Sequence, residues 1–489
     1  MTTPAPRNPA ARAGIRVGII GSGFGGIAVA IEMVGAGVTD LTIWERGDTL
    51  GGVWRDNRYP GAACDVPSPL YSFSFAPNPT WTRRYAGQAE ILAYLQTTAD
   101  AHGVTPLVRS GVEVTGATWT GNAWAVRFAD GGSAEVDVLV SAVGQLSTPT
   151  TPVIAGAETF TGESFHAACW PEHFDPAGKR IAVIGSAATA VQLVPALAGT
   201  AARLDVHQRH ANYIWPKPDH AYPRWYRRTA RLERGPFRLL GELFSRGLDD
   251  RSVLGRVHRM ITSLRLRAQV SDPALRAHLT PDYTIGCKRI LFSNNYYPAL
   301  VRDDVQLITD PVTTITPAGV QTVDPLGVTT EREVDAIVWA TGFAAQEFLA
   351  GLHITGTDGA DLADRWRDGA RAHLGITVPD FPNLMIAYGP NTNLGGSSIV
   401  LMLEAQAIRI RQLVTALADQ GMHTVEPTVA AEAAWDARVQ GELEHSPWAS
   451  CENWYRHPVT GRITSNWPGG TRSYERLLRN FDTAEYRGG

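Results

Sequence analysis

Cysteine is scarce in this chain. Four occur in 489 residues, at positions 64, 169, 287 and 451, far apart in sequence. None forms a CxxC pair, so a zinc site, a dithiol redox centre and a disulfide framework all lack their usual spacing. The expectation is four separate thiols and a reducing, cytoplasmic setting. Long apolar runs are also missing, so no membrane span is expected. The first residues, MTTPAPRNPAARAG, lack an apolar core and are read as a disordered lead over 1–13, not a signal peptide. Neither sign of charge dominates. A net charge of −4 gives no general attraction to nucleic acid or anionic lipid. What remains is a chain with 44% hydrophobic and 19% charged residues, globular in composition and too long for one core.

Two stretches have the grammar of a nucleotide-binding unit. In the first, an apolar strand over 15–20 runs into Gly21-Ser-Gly23-Phe-Gly-Gly26 and then a helix over 27–34. Gly21 permits the tight turn, Gly23 lets backbone approach a pyrophosphate, and Gly26 lets helix and strand pack closely. The helix N-terminus presents free N–H groups to the phosphates. The next strand, 41–44, ends in Glu45, nineteen residues on (26 to 45), where a carboxylate suits unphosphorylated ribose hydroxyls. A helix over 92–101, a hairpin over 112–120 and 123–128, and a buried strand over 137–143 follow. The Pro-rich run 147–152 marks a domain crossing.

The second unit repeats the pattern with a change. A strand over 179–184 leads to Gly185-Ser186-Ala-Ala-Thr189-Ala190, so Ala187 stands where the second glycine would be. The strand over 203–207 reaches Arg209, again nineteen residues on (190 to 209). A cation there, where the first unit has an acid, suits a ribose 2′-phosphate. The two units therefore divide the cofactors, with an unphosphorylated dinucleotide in the first and NADPH in the second. Between 220 and 280 the chain reads as helical and Arg-rich. Its amphipathic basic face suits lipid or an anionic partner, but interspersed Glu233, Glu242, Asp249 and Asp250 favour a solvated surface.

Between the units lies Phe160-x-Gly162-x-x-x-His166-x-x-x-Trp170-Pro171, a spacing that fits neither a helix face nor strand alternation. It resembles the fingerprint of Baeyer–Villiger monooxygenases, within the class B flavin monooxygenases. The flavin-side string Gly51-Gly52-Val-Trp54, Asn57-x-Tyr59-Pro-Gly61, Cys64-Asp65, Tyr71-Ser-Phe73 is similar to that family's, as are Gly286-Cys-Lys288-Arg289 and Ala340-Thr-Gly-Phe343. The resemblance covers the chain from about residue 15 to 474 and implies an α/β fold. Two Rossmann-like domains are expected, an NADPH domain (151–335, with the helical insertion 220–280) inserted in an FAD domain (14–150 and 336–489). It implies that Glu45, Trp54, Asp65 and Tyr71 line FAD and that Lys288 helps bind the 2′-phosphate. Arg289, oriented by Asp65, would stabilise a C4a-peroxyflavin, and Trp454 would reach NADP. His166 and Trp170 would couple the domains rather than act as acid or base. The implied reaction inserts one atom of O2 beside the carbonyl of a small-molecule ketone. Sulfur or nitrogen oxygenation, and more distantly a non-oxygenating NADPH oxidase or redox-responsive flavoprotein, stay open, as does the choice between monomer and homodimer.

Overall fold

The computed structural model describes residues 14–349 and 351–489; the expected disordered lead, 1–13, lies outside them. The first nucleotide unit is built on β1 (Arg16–Ile20), α1 (Phe24–Gly35) and β2 (Asp40–Glu45). α2 (Gln88–Ala101) and β3 (Val108–Ser110) follow. Next come the antiparallel strands β4 (Val114–Trp119), β5 (Trp124–Phe128) and β6 (Ser133–Val136), and then β7 (Val138–Ser141). The parallel sheet runs Leu384–Ile386, β7, β1, β2, β3. Its central strands are continuous apolar runs because helices or the β4–β6 meander cover both faces. The register Ile20↔Trp44 brings the C-terminal ends of β1 and β2 together. Gly21 and Glu45 thus emerge side by side at the sheet edge where ligands bind in such folds.

The second unit contains β8 (Glu163–His166), β9 (Arg180–Ile184), α3 (Ala188–Leu197) and β10 (Arg203–His207). Its insertion supplies α4 (Arg234–Arg246), α5 (Val253–Gln269) and the short α6 (Pro273–His278). β11 (Val305–Ile308) and β12 (Ala336–Trp339) complete a parallel sheet ordered β11, β10, β9, β12, β8. β12 pairs with β9 on one side and β8 on the other. The second part of the first unit, expected from 336, therefore begins only after this strand, at Ala340–Gly342. The apolar residues of β12 are needed to fill the middle of the second sheet.

The chain then returns to add β13 (Leu384–Ile386) to the first sheet and to lay α7 (Ile399–Gln420) along α1. α7 starts with Ser398 Oγ accepting from the Val400 amide and ends at Gly421 in the left-handed region (φ 62°), a normal helix stop.

Candidate active site

A cavity of about 2300 Å3 opens between the two units and is lined by both glycine turns and by the C-terminal segment. In the first turn Gly21 has φ +96°, and a side chain on Gly26 would collide with the Gly21 carbonyl oxygen. Opposite stands Gly52, at φ +53°, whose added Cβ would lie 2.9 Å from Cα of Gly23. Two backbones meet here with no side chains between them, a cradle of the kind a pyrophosphate fills at the N-terminus of α1. Gly52 belongs to a doublet visible in the sequence, but its facing Gly23 was not.

Glu45 is buried and already engaged. Its Oε2 accepts from the Ser22 amide (3.0 Å) and hydroxyl (2.7 Å), and its Oε1 from the Gly47 amide (2.8 Å) and Arg55 Nη1 (2.7 Å). Burial pushes its carboxyl up, but these donors outweigh it and hold it below the ordinary carboxylate value. Glu45 thus clamps the glycine turn to the Gly51–Gly52 loop as well as facing the cavity. Its partner Arg55 carried no signal in the sequence beyond its place in that loop. Further along the wall, Trp54 Nε1 donates to the Tyr71 hydroxyl (3.0 Å), and Tyr71 packs edge-on against Phe24 at 5.0 Å.

Asp65 and Arg289, 224 residues apart, form the ion pair expected of them. Arg289 donates to one carboxylate oxygen from Nε (3.2 Å) and Nη2 (2.6 Å). The Arg289 side chain is 40% exposed and that of Asp65 21%, and that exposure is to the cavity they line. Burial raises the Asp65 carboxyl, but Arg289 and then Lys217 pull it below its usual value; Asp65 in turn holds the Arg289 proton firmly. Both groups stay charged at any working pH. Cys64, next door, is pushed up to about 12 by burial, so its thiol is inert.

In the second turn Gly185 has φ +116°, with the Ala340 carbonyl where a side chain would be. Ala187 adopts extended backbone (φ −84°), open to any residue. The Ser186 hydroxyl donates to the His210 carbonyl (3.2 Å), and the Ser186 carbonyl accepts from Asn212 (3.0 Å), fixing this turn. Thr189 lines the cavity and Ala190 packs in the core below it. Arg209 is exposed at the mouth, with no ion-pair partner among the described residues. Lys288 lies 4.8 Å from the Tyr283 ring centroid. Burial, then the positive charge of Arg209, lowers the Lys288 ammonium, with Asp282 and Glu452 opposing. Two cations held against one another are what a phosphate would relieve. Gln192 of α3 ties the units together. It accepts from Tyr59 (2.9 Å) and donates to the Ala63 carbonyl (2.8 Å), while Gly61 approaches the backbone of α3 too closely for any side chain.

The fingerprint residues Phe160, Gly162, His166, Trp170 and Pro171 do not line the cavity. They flank or end the edge strand of the second sheet, where β8 runs parallel to β12 with His166 beside Trp339. Gly162 has the Phe160 ring and the Asp335 carbonyl where a side chain would be. His166 Nδ1 accepts from the Ala168 amide (3.1 Å), and its ring lies 5.6 Å from Phe343, in the crossing back to the first unit. Burial lowers its pKa, so it is neutral near pH 7. Trp170 packs edge-on against Phe165 and Phe174.

Trp454 is 38% exposed at the cavity wall, 4.1 Å from the Tyr455 ring, and not a core residue. The expectation of four free thiols fails at this point. Cys287 and Cys451 form a disulfide with Cα atoms 6.1 Å apart, leaving only Cys64 and Cys169 free. Their 164-residue separation concealed that both the Lys288–Arg289 segment and the Trp454 loop return to the same wall. Asn453 reinforces the junction with bonds to Cys287 Sγ (3.3 Å) and the Trp448 carbonyl (2.8 Å).

Residues 19–87 match the model of an NAD(P)-binding Rossmann-like domain. The chain is 40% identical to a Baeyer–Villiger monooxygenase of Streptomyces coelicolor over 97% of its own length and 92% of the relative's. The chain belongs to the Baeyer–Villiger monooxygenase family. Its fold agrees with a structure of an oxidised steroid monooxygenase bound to NADP (TM-score 0.87, 30% identity, 97% of this chain and 99% of that one). It agrees equally with OTEMO in complex with FAD and NADP (TM-score 0.88, 27% identity, the same coverage). Family membership covers both units and the segment carrying Trp454, so the flavin-side string and the Lys288–Arg289 core belong to one architecture.

Proposed function

We propose that this protein is an FAD- and NADPH-dependent monooxygenase that inserts one oxygen atom beside a ketone carbonyl. NADPH, O2, a proton and the ketone yield NADP+, water and an ester or lactone. The observation that carries the reading is the Asp65–Arg289 ion pair, set in one cavity between a carboxylate-bearing and a cation-bearing nucleotide cradle. Bound flavin supplies the electron transfer and oxygen activation.

The residues of the chain do the rest. Gly21, Gly23, Gly26 and Gly52 leave room for the FAD pyrophosphate, and Glu45 holds that turn in shape. Trp54 and Tyr71 wall the flavin side. The turn from Gly185 to Ala190 receives the second dinucleotide, with Arg209 and Lys288 on its 2′-phosphate and Trp454 over it. Asp65 fixes the Arg289 guanidinium, so a permanent positive charge faces the place where negative charge develops on the reacting oxygen. Such a preorganised charge costs no rearrangement during reaction. His166, against Phe343 of the crossing, and Trp170, behind it on Phe165 and Phe174, transmit motion between the units. The domain division follows: 14–150 and the chain beyond Trp339 for FAD, the intervening residues for NADPH. The reading includes a cytoplasmic setting, where NADPH is regenerated, and a monomer or homodimer.

The test is product analysis under 18O2 with FAD-loaded protein, NADPH and a panel of cyclic, linear and aryl ketones. An ester or lactone carrying one 18O, formed in proportion to NADPH consumed, is the expected result. Hydrogen peroxide in proportion to NADPH, unaltered by every ketone, would mark an oxidase. Oxygenated sulfides or amines with no ester would mark a heteroatom oxygenase.

A further inference from the structure

The insertion between 224 and 267 is unlike the rest of the surface. It carries twelve arginines and four acids (233, 242, 249 and 250), a net charge of +8, so the remainder of the chain is −12 (−4 minus +8). Its acids and some of its arginines are engaged within the protein: Glu233 pairs with Arg84, Glu242 accepts from Thr471, Asp249 pairs with Arg251 and Asp250 with Arg259, while Arg238 pairs with Glu475. Arg224, Arg228, Arg231, Arg246, Arg256 and Arg267 are exposed and have no ion-pair partner among the described residues.

Among these cations lies apolar surface that the fold leaves uncovered. α4 has no buried residue, and Leu239, Leu240 and Leu243 are 50%, 56% and 41% exposed. α5 buries His258, Thr262 and Leu266 on one side. On the other it exposes Val253, Val257, Met260 and Leu264, a stripe at helical spacing flanked by Arg256 and Arg267. Leu240 and Leu243 of α4 and Leu254 of α5, itself 41% exposed, also form part of the cavity wall, so both helices border the cavity. The acids are tied up within the protein, and leucine, methionine, valine and arginine stand exposed on these two helices.

We infer that α4 and α5 dock this protein on an anionic lipid bilayer, with the apolar stripe at the acyl boundary and the unpaired arginines on lipid phosphates. Charge selects this occupant. A second copy bringing the same face would set +8 against +8. An acidic soluble partner would satisfy the arginines and leave the stripe wet. A bilayer with anionic headgroups satisfies both, and an amphipathic helix rich in arginine has the composition for it. Docking so places the cavity rim at the membrane surface. This deepens the proposed function, on which it rests for one point only: a ketone dissolved in lipid would enter between Leu240, Leu243 and Leu254.

The experiment is flotation of the FAD-loaded protein with vesicles of phosphatidylcholine alone or mixed with phosphatidylglycerol. Binding to the anionic vesicles, absent on pure phosphatidylcholine and reversed at 1 M salt, where the screening length is about 3 Å, is expected. Each arginine near such a surface contributes roughly fivefold, so Arg256→Ala with Arg267→Ala should weaken partitioning about thirtyfold. Leu239→Asp with Met260→Asp should abolish it, while NADPH oxidation with a water-soluble ketone stays at the parent level. That second readout separates failed docking from failed folding and from failure of the enzymatic reading. No binding to either vesicle overturns the inference. So does a homodimer that the Leu239/Met260 variant splits, which would make the face a subunit interface.

Discussion

Replacing Asp65 with Asn tests whether this carboxylate acts through Arg289. The substitution keeps shape and one acceptor oxygen while removing the charge. At an effective dielectric near 20 and charge centres about 4 Å apart, the attraction lost is about 4 kcal/mol. The amide oxygen restores a neutral hydrogen bond, and the cavity-facing side of Arg289 can be solvated. A net loss of about 2 kcal/mol in holding the guanidinium follows, the difference between charge-assisted and neutral bonding. If that orientation matters only at the oxygen-transfer step, ketone conversion falls roughly thirtyfold. Anaerobic reduction of bound FAD by NADPH should stay within about twofold. Removing the cation itself by Arg289→Ala should cost about 100- to 1000-fold, as for other preorganised charges. The decisive comparison is the double variant. With no guanidinium left to orient, Asp65→Asn should add almost nothing to Arg289→Ala in ester formed per unit time. Losses that multiply in the double variant, or a slowed flavin reduction matching the slowed conversion, would refute the positioning role.

Arg209→Ala should raise the KM for NADPH about tenfold or more and leave the NADH value nearly unchanged, because only NADPH carries the phosphate that this cation and Lys288 would share. Thiol titration should find one reactive cysteine in native protein, the exposed Cys169, and two after denaturation without reductant, since Cys64 is buried and the other two are bonded; four under denaturation would remove the disulfide. Closing so long a loop stabilises by about 5 kcal/mol in the chain-entropy account, so Cys287→Ser with Cys451→Ser should lower the melting temperature measurably. His207 is buried with neither ring nitrogen bonded, and burial, then Arg332, lowers its pKa to about 4. A depressed imidazole stabilises the fold fully above about pH 6.5 and loses that contribution as pH falls through 4. His207→Leu should therefore shrink the stability lost between pH 7 and 4.5 by about 2 kcal/mol in urea titrations, and an unchanged acid loss would count against this account.

The parts of the molecule legible in sequence are those dictated by short-range chemistry. A glycine whose side chain would strike a carbonyl three or five residues away, as at Gly26, must announce itself locally. So must the alternation of strand, turn and helix around it. The acid at 45 and the cation at 209 were readable because their offsets from the turns are fixed by one helix and one strand. Pairings across the cavity were not derivable this way. Nothing within 224 residues of chain says that Asp65 faces Arg289; only the resemblance to a family supplied it. The Cys287–Cys451 bond escaped for the same reason, and the spacing rule that discounted it applies to neighbours in sequence, not to segments that converge on one wall.

The insertion is a different case, in which the sequence displays the charges but only the fold shows which of them are paired. Four acids among twelve arginines looked like neutralisation spread over a surface. In the fold, Asp249 and Asp250 are spent on Arg251 and Arg259 beside them, and Glu233 on Arg84 and two tyrosines. Neutralisation is a matter of distance, and at an exposed arginine a carboxylate beyond about 10 Å is largely screened. The residual cations therefore act as if the acids were absent, and α4 has no fully buried residue, so its leucines face solvent or the cavity. On the proposed docking, a helix with exposed leucines and unpaired arginines beside a substrate cavity is explained by what it meets outside the protein rather than by what it packs against within it.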